Sequence, residues 1–514
     1  MITAPATAIL TILAGTYSFL IHTHISPTPI RRTVLITGAR NTKCLFLARA
    51  FHREGCRVVV AEEPDWFHLN MTRFSSSVDS YYRLPDPGDS PEAYKSAILC
   101  IVDREKVELF LPCSSPSYTI LDAEVALDIA RNTTKAACSS FIPHSTLTSI
   151  LHWKHDFISL CSELGMVVPE SVLVSSVRQA AEFLHSSTPH RRNNQYITKC
   201  LAFDDLARTD MMPLPLATIK QTADHLHKLP LPISERHTYV VQRLLYGPEY
   251  CTHAAVRDGE LVAFVTCRSS DMLMRYVDVK SQFSAGSEQE RRKEYAVGVQ
   301  AEEWTKTFLQ RWKAKLQQEA GNGESSFTTE LTGHFCMDFI LNEADGKLYP
   351  IECNPRAHTA VTLFSSVRGL ASHYLGATPG TARPSPTTPP QSWIAHSLPL
   401  SLALLLPTSL ARILHPCLSS TSTTAQTLDP TISPQPKHSS PLDVLLQYAR
   451  GAEADPVWDI HDPIPFFVLV HLTWPWELLK VMASGKAWSR INASTMRVWG
   501  AKAEETETSD LKLK

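Results

Sequence analysis

Four side chains near the end of the second third of the chain have the types and spacing to work on a metal-bound phosphate: Asp338, Glu352, Asn354 and Arg356. Gly333 to Ile340 and Leu348 to Arg356 are apolar runs separated by Asn342-Glu343-Ala344-Asp345-Gly346, a cluster of turn residues, so the segment reads as a β-hairpin. Facing residues of an antiparallel pair share one midpoint, and that of 338 and 352 is residue 345, inside the turn. Asp338 and Glu352 are therefore expected to face each other, with Asn354 two residues on and on the same face. Two carboxylates and an amide oxygen on one patch repel unless a cation lies between them. An all-oxygen donor set suits Mg²⁺ or Mn²⁺. Arg356, at the next alternate position, adds a fixed cation suited to phosphate oxygens.

Asp338 with the run Glu352-x-Asn354-x-Arg356 resembles the metal-binding hairpin of the ATP-grasp superfamily. The resemblance implies that Asp338, Glu352 and Asn354 hold the divalent metals that bridge the phosphates of ATP. It implies that Arg356 steadies the transferring phosphoryl group or the acyl phosphate. The family also places two lysines and an adenine-contacting strand upstream, and each has a counterpart here. Trp153-Lys154-His155-Asp156-Phe157 opens a short helix that Gly165 ends before Pro169, and resembles the first lysine segment. Tyr196-Ile197-Thr198-Lys199 reads as a strand ending in the second lysine, which the resemblance places on the α/β-phosphates. Tyr239 to Leu245 is a strand before Gly247-Pro248-Glu249-Tyr250. By resemblance Gln242, Arg243, Leu244 and Leu245 meet adenine, with Glu249 on the ribose. One departure is visible. Where many members carry a Gly- and Ser-rich phosphate loop, residues 200 to 210 contain no glycine, so either Arg208 and the Thr209 hydroxyl take over its phosphate contacts or the lid closes less tightly than in the family.

The elements that must hold these groups follow from the flanking patterns. Thr33 to Gly38 is a buried-strand pattern, followed by an amphipathic run to Gly55 and a second strand at Arg57 to Glu62, which together imply a βαβ unit and a parallel sheet. Val107 to Pro112 and Ile120 to Ile129 extend it. The Gly38 loop matches neither dinucleotide nor Walker spacing. The fold class expected is α/β, with an α+β nucleotide domain. The resemblance implies that residues 31–145 are a Rossmann-like domain preceding an ATP-grasp domain at 146–376. Residues 377–392 are a Pro- and Thr-rich linker, and 393–514 a mostly helical extension with a disordered stretch at 419–441. Leu363 to Leu375 reads as one helix closing the nucleotide domain, and Val468 to Leu479 as packing against the main body.

Composition limits the remaining classes. A 514-residue chain with 44% hydrophobic residues can bury several cores, and a net charge of −2 gives no basis for nucleic-acid binding. Twelve cysteines without CxxC pairs suit reduced thiols in the cytosol. Ile2 to Ile21 carries no charge and is followed by Arg31 and Arg32, so a leader at 1–30 is either packed or disordered, or a membrane anchor with the body facing the cytosol.

The resemblance implies an ADP-forming carboxylate–amine ligase, in the amino-acid ligase branch that includes stand-alone enzymes of small-molecule, secondary-metabolite biosynthesis. Its substrates would be ATP, a carboxylic or amino acid and a nucleophile, with Mg²⁺ or Mn²⁺. A phosphotransferase and a catalytically silent nucleotide-binding module are the alternatives. Arg268, on a strand after the Arg257-Asp258-Gly259-Glu260 turn, is a candidate clamp for a substrate carboxylate, with a surface salt bridge the competing and favoured reading. His358 is a candidate proton shuttle, with a packed neutral histidine the competing reading.

Overall fold

The computed structural model describes residues 32–113, 116–132, 138–186, 194–200, 212–269, 275–284, 286–321, 330–394, 441–483, 488–492 and 497–500. Its architecture is mixed α/β, with one parallel and several antiparallel sheets. The possible leader, Arg208 with Thr209, and the low-complexity stretch from 419 to 440 lie outside the described residues.

The parallel sheet has the order β3-β2-β1-β4-β5, from β1 (Thr33–Thr37), β2 (Arg57–Glu62), β3 (Ser80–Arg83), β4 (Leu109–Leu111) and β5 (Ser139–Ser140). The uninterrupted apolar runs are explained by cores on both faces. Val34, Ile36, Val58 and Val60 enter one core, while Leu35, Val59 and Ala61 enter the other. Helix α1 (Thr42–Arg53) covers the first face. Helices α2 (Pro91–Glu105) and α3 (Thr119–Asn132) cover the second through Tyr94, Ile98, Val125 and Ile129. Ser90 caps α2 by accepting from the Ala93 N–H, and Pro91 occupies the first turn, where its missing donor is no loss.

Two helices then lead inward, α4 (Ser145–His152) and α5 (Lys154–Glu163). A three-stranded antiparallel sheet of order β6-β8-β7 follows, from β6 (Ser171–Val174), β7 (Tyr196–Cys200) and β8 (Tyr239–Arg243). Helices α6 (Val177–Leu184) and α7 (Ile219–Leu226) close its core over Tyr196, Tyr239 and Val241.

The third sheet is antiparallel, order β10-β9-β12-β13, with β11 on β9. Its strands are β9 (Glu249–Arg257), β10 (Glu260–Arg268), β11 (Gly333–His334), β12 (Cys336–Asn342) and β13 (Lys347–Asn354). The β9–β10 turn places Asp258 and Gly259 at φ of 52° and 85°, the two left-handed positions of a tight hairpin. The long helix α8 (Glu288–Gly321) packs one sheet face with Phe308, Leu309 and Trp312, and α1 lies beyond the other.

Three expectations need correction. The helix expected over Leu363 to Leu375 is broken into a 3-10 segment, Thr359–Ser366, and a short helix α9 (Leu370–Tyr374), because Gly369 takes a φ of +83° between them. Residues 377–392 are no free linker: the Ala382 N–H donates to the Val262 carbonyl, and its own carbonyl accepts from the Phe264 N–H. Tyr276 and Gln391 exchange two backbone bonds at 2.8 and 2.9 Å. A Pro-rich segment satisfies its remaining amides individually, so the composition of a linker also suits an irregular edge. The C-terminal region is helical in α10 (Pro441–Ala449), α11 (Ile464–Val468) and α12 (Trp474–Ala483), but it ends in an antiparallel pair, β14 (Trp488–Asn492) and β15 (Arg497–Gly500).

That region docks on the parallel-sheet domain. Arg49 of α1 donates from Nε to Asp462 at 2.9 Å, from Nη1 to the Val457 carbonyl at 3.0 Å, and from Nη2 to the Asp462 carbonyl at 2.7 Å. Asp462 also accepts from Ser75 and from the Ser76 N–H. A buried arginine with every partner in place is a strong anchor for packing. No helix among the described residues is long and apolar enough to cross a membrane.

Candidate active site

The hairpin β12–β13 sets the centre of the site. Asp338 pairs with Glu352, and on its other side with Cys251 of β9. Immediately afterwards the register shifts, Phe339 pairing with Pro350, so Ile351 is the extra residue of a β-bulge. Pro350 has no N–H for the ladder, and a bulge is where a sheet tolerates it. Asp338, Glu352 and Asn354 share one face, with Glu249 of β9 opposite Ile340 on that same side.

Asp338 is buried, and its Oδ2 accepts from Asn354 Nδ2 at 3.1 Å while Oδ1 has no donor. Burial, and then the charge of Glu352, push its carboxyl well above the usual range. Glu352 goes the other way. Burial would raise it, but the Lys154 ammonium, in direct contact with Oε2, holds it below the ordinary carboxylate range. Lys154 reaches it because it is the first residue of α5. Lys199, on β7, donates to Gln242 Oε1 of β8 at 2.8 Å. Burial and repulsion from Lys154 lower Lys199 to about 8. Glu249 lies at the mouth, takes the Ser269 hydroxyl at 3.2 Å, and is raised by desolvation and by Glu352. The structure therefore brings Lys154, Lys199, Gln242, Glu249, Asp338, Glu352, Asn354 and Arg356 into one connected cluster.

The donor set fits a hard divalent cation. Two coupled acids, one carrying an orphaned oxygen, are relieved by positive charge between them. The Asn354 amide oxygen, which now accepts from Arg356, is the third donor. Among the described residues no three His, Cys, Asp or Glu side chains gather as a metal cluster. Mg²⁺ needs none, because it commonly takes one or two carboxylates and completes its shell with water and phosphate.

One sequence expectation fails here. Arg268 is paired with Tyr250, whereas Cys267 is paired with Cys251, so Arg268 lies on the α8 face and not on the Asp338 face. There it sits 4.0 Å from Glu294 of α8. A one-residue difference in strand register reverses the face. At the hinge, the Leu244 N–H donates to the Gln195 carbonyl and the Arg243 N–H to the Glu170 carbonyl, both at 2.7 Å. The hinge is also held by close approach. Gly247, at φ +148°, lies so near β12 that a Cβ there would come 1.9 Å from the Leu341 carbonyl oxygen. Leu245 is buried beside it.

His358 is neither free nor simply packed. Its Nδ1 accepts from the Ala360 N–H, capping the 3-10 segment, and its own N–H donates to His253 Nδ1 at 3.3 Å. His253 and His334 both meet the Tyr374 hydroxyl, at 2.9 and 3.1 Å, in a buried polar chain that no sequence motif announced. Lys43 of α1 was likewise missed; its Nζ donates to the Ala357 carbonyl at 2.9 Å, one residue past Arg356. Neighbours 314 residues apart in sequence leave no local signal.

A groove of about 530 Å³ lies elsewhere, between α6 and α7, lined by Val177, Arg178, Ile219, Lys220 and His227. None of the groups above borders it.

No family model and no curated protein matches the chain. Solved structures do. The chain is similar to an L-amino acid ligase from Bacillus licheniformis, with 13% identity and a TM-score of 0.40, over 65% of this chain and 69% of that one. It is similar to an N5-carboxyaminoimidazole synthetase from Staphylococcus aureus at 11% and 0.45, over 70% and 81%. A phosphoribosylamine–glycine ligase from Thermotoga maritima gives 14% and 0.43, over 68% and 78%. At these values the likeness leaves the reaction open, and the functional reading rests on the side chains.

Proposed function

We propose that the chain is an ATP- and Mg²⁺-dependent ligase of the ATP-grasp type, which activates a small carboxylic acid, most simply an amino acid, as an acyl phosphate for attack by an amine or similar nucleophile. The observation that carries the reading is the pairing of Asp338 with Glu352 beside Lys154 and Lys199, with one Asp338 oxygen lacking any donor. Acids and cations are interleaved there as a triphosphate and its counter-ion require.

Carboxylates resist substitution because the leaving group would be oxide; phosphorylation replaces it with phosphate. Phosphoryl transfer requires positioning and charge neutralisation more than covalent help. Lys154 and Lys199 are assigned to the phosphates. Binding of polyphosphate draws Lys154 away from Glu352 and releases that carboxylate. Asp338, Glu352 and Asn354 would hold Mg²⁺, which when bound neutralises phosphate charge and aligns the oxygens. Glu249, at the mouth and supported by Ser269, is assigned to the ribose. Arg356 offsets the charge of the acyl phosphate, held in place by Asn354. The buried walls around β12 and β13 exclude the water that would hydrolyse that intermediate.

This chemistry belongs in the cytosol, where ATP is available, and residues 31–145 are assigned as the preceding domain that completes the acid-binding side. The test is a pairwise screen of amino acids for ADP release with Mg²⁺, with mass detection of products. A new amide together with stoichiometric free phosphate supports the ligase. A released phosphorylated acid would support a phosphotransferase, and ATP turnover indifferent to every acid would remove both readings.

A further inference from the structure

The helical run formed by α11 and α12 is apolar on both faces. From Pro463 to Trp476 the chain holds no Asp, Glu, Lys or Arg. One face packs inward, with Phe466 and Leu469 in the core shared with the parallel sheet. The other stays in water. Ile464, Leu472, Trp476 and Leu479 are exposed, Trp476 and Leu479 by 53% and 57%. α11 runs straight into α12 through a π turn, Leu469–Thr473. One α turn and one wider π turn take up roughly eight residues, so the step from Ile464 to Leu472 returns to the same side. The further steps of four and three, to Trp476 and Leu479, stay there. Trp458 extends the patch, its ring edge-on to Phe466 at 5.3 Å, and Ile460 close by is exposed.

This surface is unlike the rest of the molecule. Among the described residues fifteen large hydrophobic side chains are exposed, and eight of them fall between Leu442 and Leu479. Single exposed side chains are ordinary, whereas a continuous stripe marks a surface that meets another apolar phase. Two uncharged segments of the chain, both outside the described residues, join the body at the same place. Residues 395–411 hold no Asp, Glu, Lys or Arg. They follow Ile394, whose N–H donates to Asp455 at 2.9 Å, and Asp455 also takes the N–H of Trp458 at 3.2 Å. Residues 2–21 are uncharged too, and lead to Arg32, whose carbonyl accepts from the Arg57 N–H at 2.9 Å. Four residues before Arg57, Arg53 pairs at 3.2 Å with Asp459, which lies between Trp458 and Ile460.

We propose that the stripe of Ile464, Leu472, Trp476 and Leu479, with Trp458, rests on the surface of a phospholipid bilayer, the helical run lying in the membrane plane. The chemistry favours lipid over a protein partner. A protein interface has a polar rim whose hydrogen bonds fix one register. This stripe offers aliphatic side chains and tryptophan, and its first ammonium, Lys480, stands at the far end 2.7 Å from Glu477. Tryptophan at the edge of an aliphatic surface is the pattern of helices that sit roughly 5–10 Å into a leaflet. The proposal does not depend on the ligase reading, and it adds a membrane surface as the place where the chain works.

The experiment uses the full chain with vesicles of phosphatidylcholine and phosphatidylserine. Flotation measures binding, and lipids brominated in the acyl chain quench tryptophans that enter the leaflet. The wild type floats and is quenched, while Trp476→Phe still floats and loses part of the quenching. Ile464→Ser, Leu472→Ser, Trp476→Ser and Leu479→Ser combined lower vesicle affinity at least about tenfold, as withdrawal of four large apolar side chains predicts. All four are exposed, so the melting temperature of that variant in lipid-free buffer stays that of the wild type, which separates lost binding from lost folding. A wild type that stays off the vesicles overturns the proposal. So does equal quenching in wild type and Trp476→Phe, or unchanged flotation of the fourfold variant, since either assigns the binding to another segment. A dimer in lipid-free buffer that the fourfold variant splits into monomers also overturns it, because the face then belongs to a second copy.

Discussion

Lys199→Met tests the electrostatics of the phosphate side before any substrate is known. Lys199 falls from its ordinary 10.5 to about 8 because burial and Lys154 disfavour its charge. The difference of about 2.5 units corresponds to roughly 3 kcal/mol, at 1.36 kcal/mol per unit. The sign is fixed by proton counting. Between pH 8 and 10.5 the unfolded chain holds the proton and the folded chain does not, so stability rises with pH across that window. Below pH 8 the full penalty is present. Lys199→Met should therefore be more stable than the wild type at pH 7, by up to about 3 kcal/mol, and the gap should close by pH 10.5. Binding of ATP phosphates reverses the shift. At pH 8, where free Lys199 is half protonated, MgATP binding should take up about half a proton through Lys199. Calorimetry in buffers of different ionisation enthalpy measures it, and the Lys199→Met variant should lose that uptake. A variant less stable than the wild type at pH 7, or with the same proton uptake, would refute the placement of Lys199 in a phosphate site.

Three other outcomes follow from packing and register. Gly247→Ala puts a Cβ against the Leu341 carbonyl, and denaturant titration should show a loss above about 2 kcal/mol. A melt unchanged from wild type would mean that the hinge is not held as described. Asp462→Ala leaves the Arg49 guanidinium buried without its carboxylate, a loss of about 3 kcal/mol or more by the same assay. Indifference there would deny the docking of the C-terminal segment. Arg268→Ala, on the α8 face, should keep acid-dependent ATP turnover within about twofold, since a partly exposed ion pair contributes little; a collapse of turnover would return Arg268 to the substrate site.

The hairpin was legible because strand alternation and a turn cluster determine which residues oppose. Asp338 and Glu352 meet as their common midpoint requires, although the bulge at Ile351 shifts every pair nearer the turn. Pro350 was the available sign of it. The parallel sheet was legible from runs such as Val34 to Ile36 and Val58 to Val60, whose uninterrupted apolarity needs cores on both faces. Arg268 was misplaced because the facing of a strand's last residue depends on register, which composition does not reveal. The Arg49–Asp462 anchor and the reach of Lys43 to Ala357 join residues hundreds of positions apart, and a lone charge on a helix carries no mark of its partner. Residues 377–392 were misread because proline content signals irregular backbone and says nothing about burial.

The central claim is that Asp338 and Glu352 share a divalent cation beside a bound nucleotide. Manganese paramagnetic resonance of the purified chain, with and without ADP, measures it directly. The account predicts Mn²⁺ binding that strengthens when ADP is present and is lost in Glu352→Gln. Mn²⁺ binding of equal strength in that variant, or binding that ADP leaves unchanged, would contradict it.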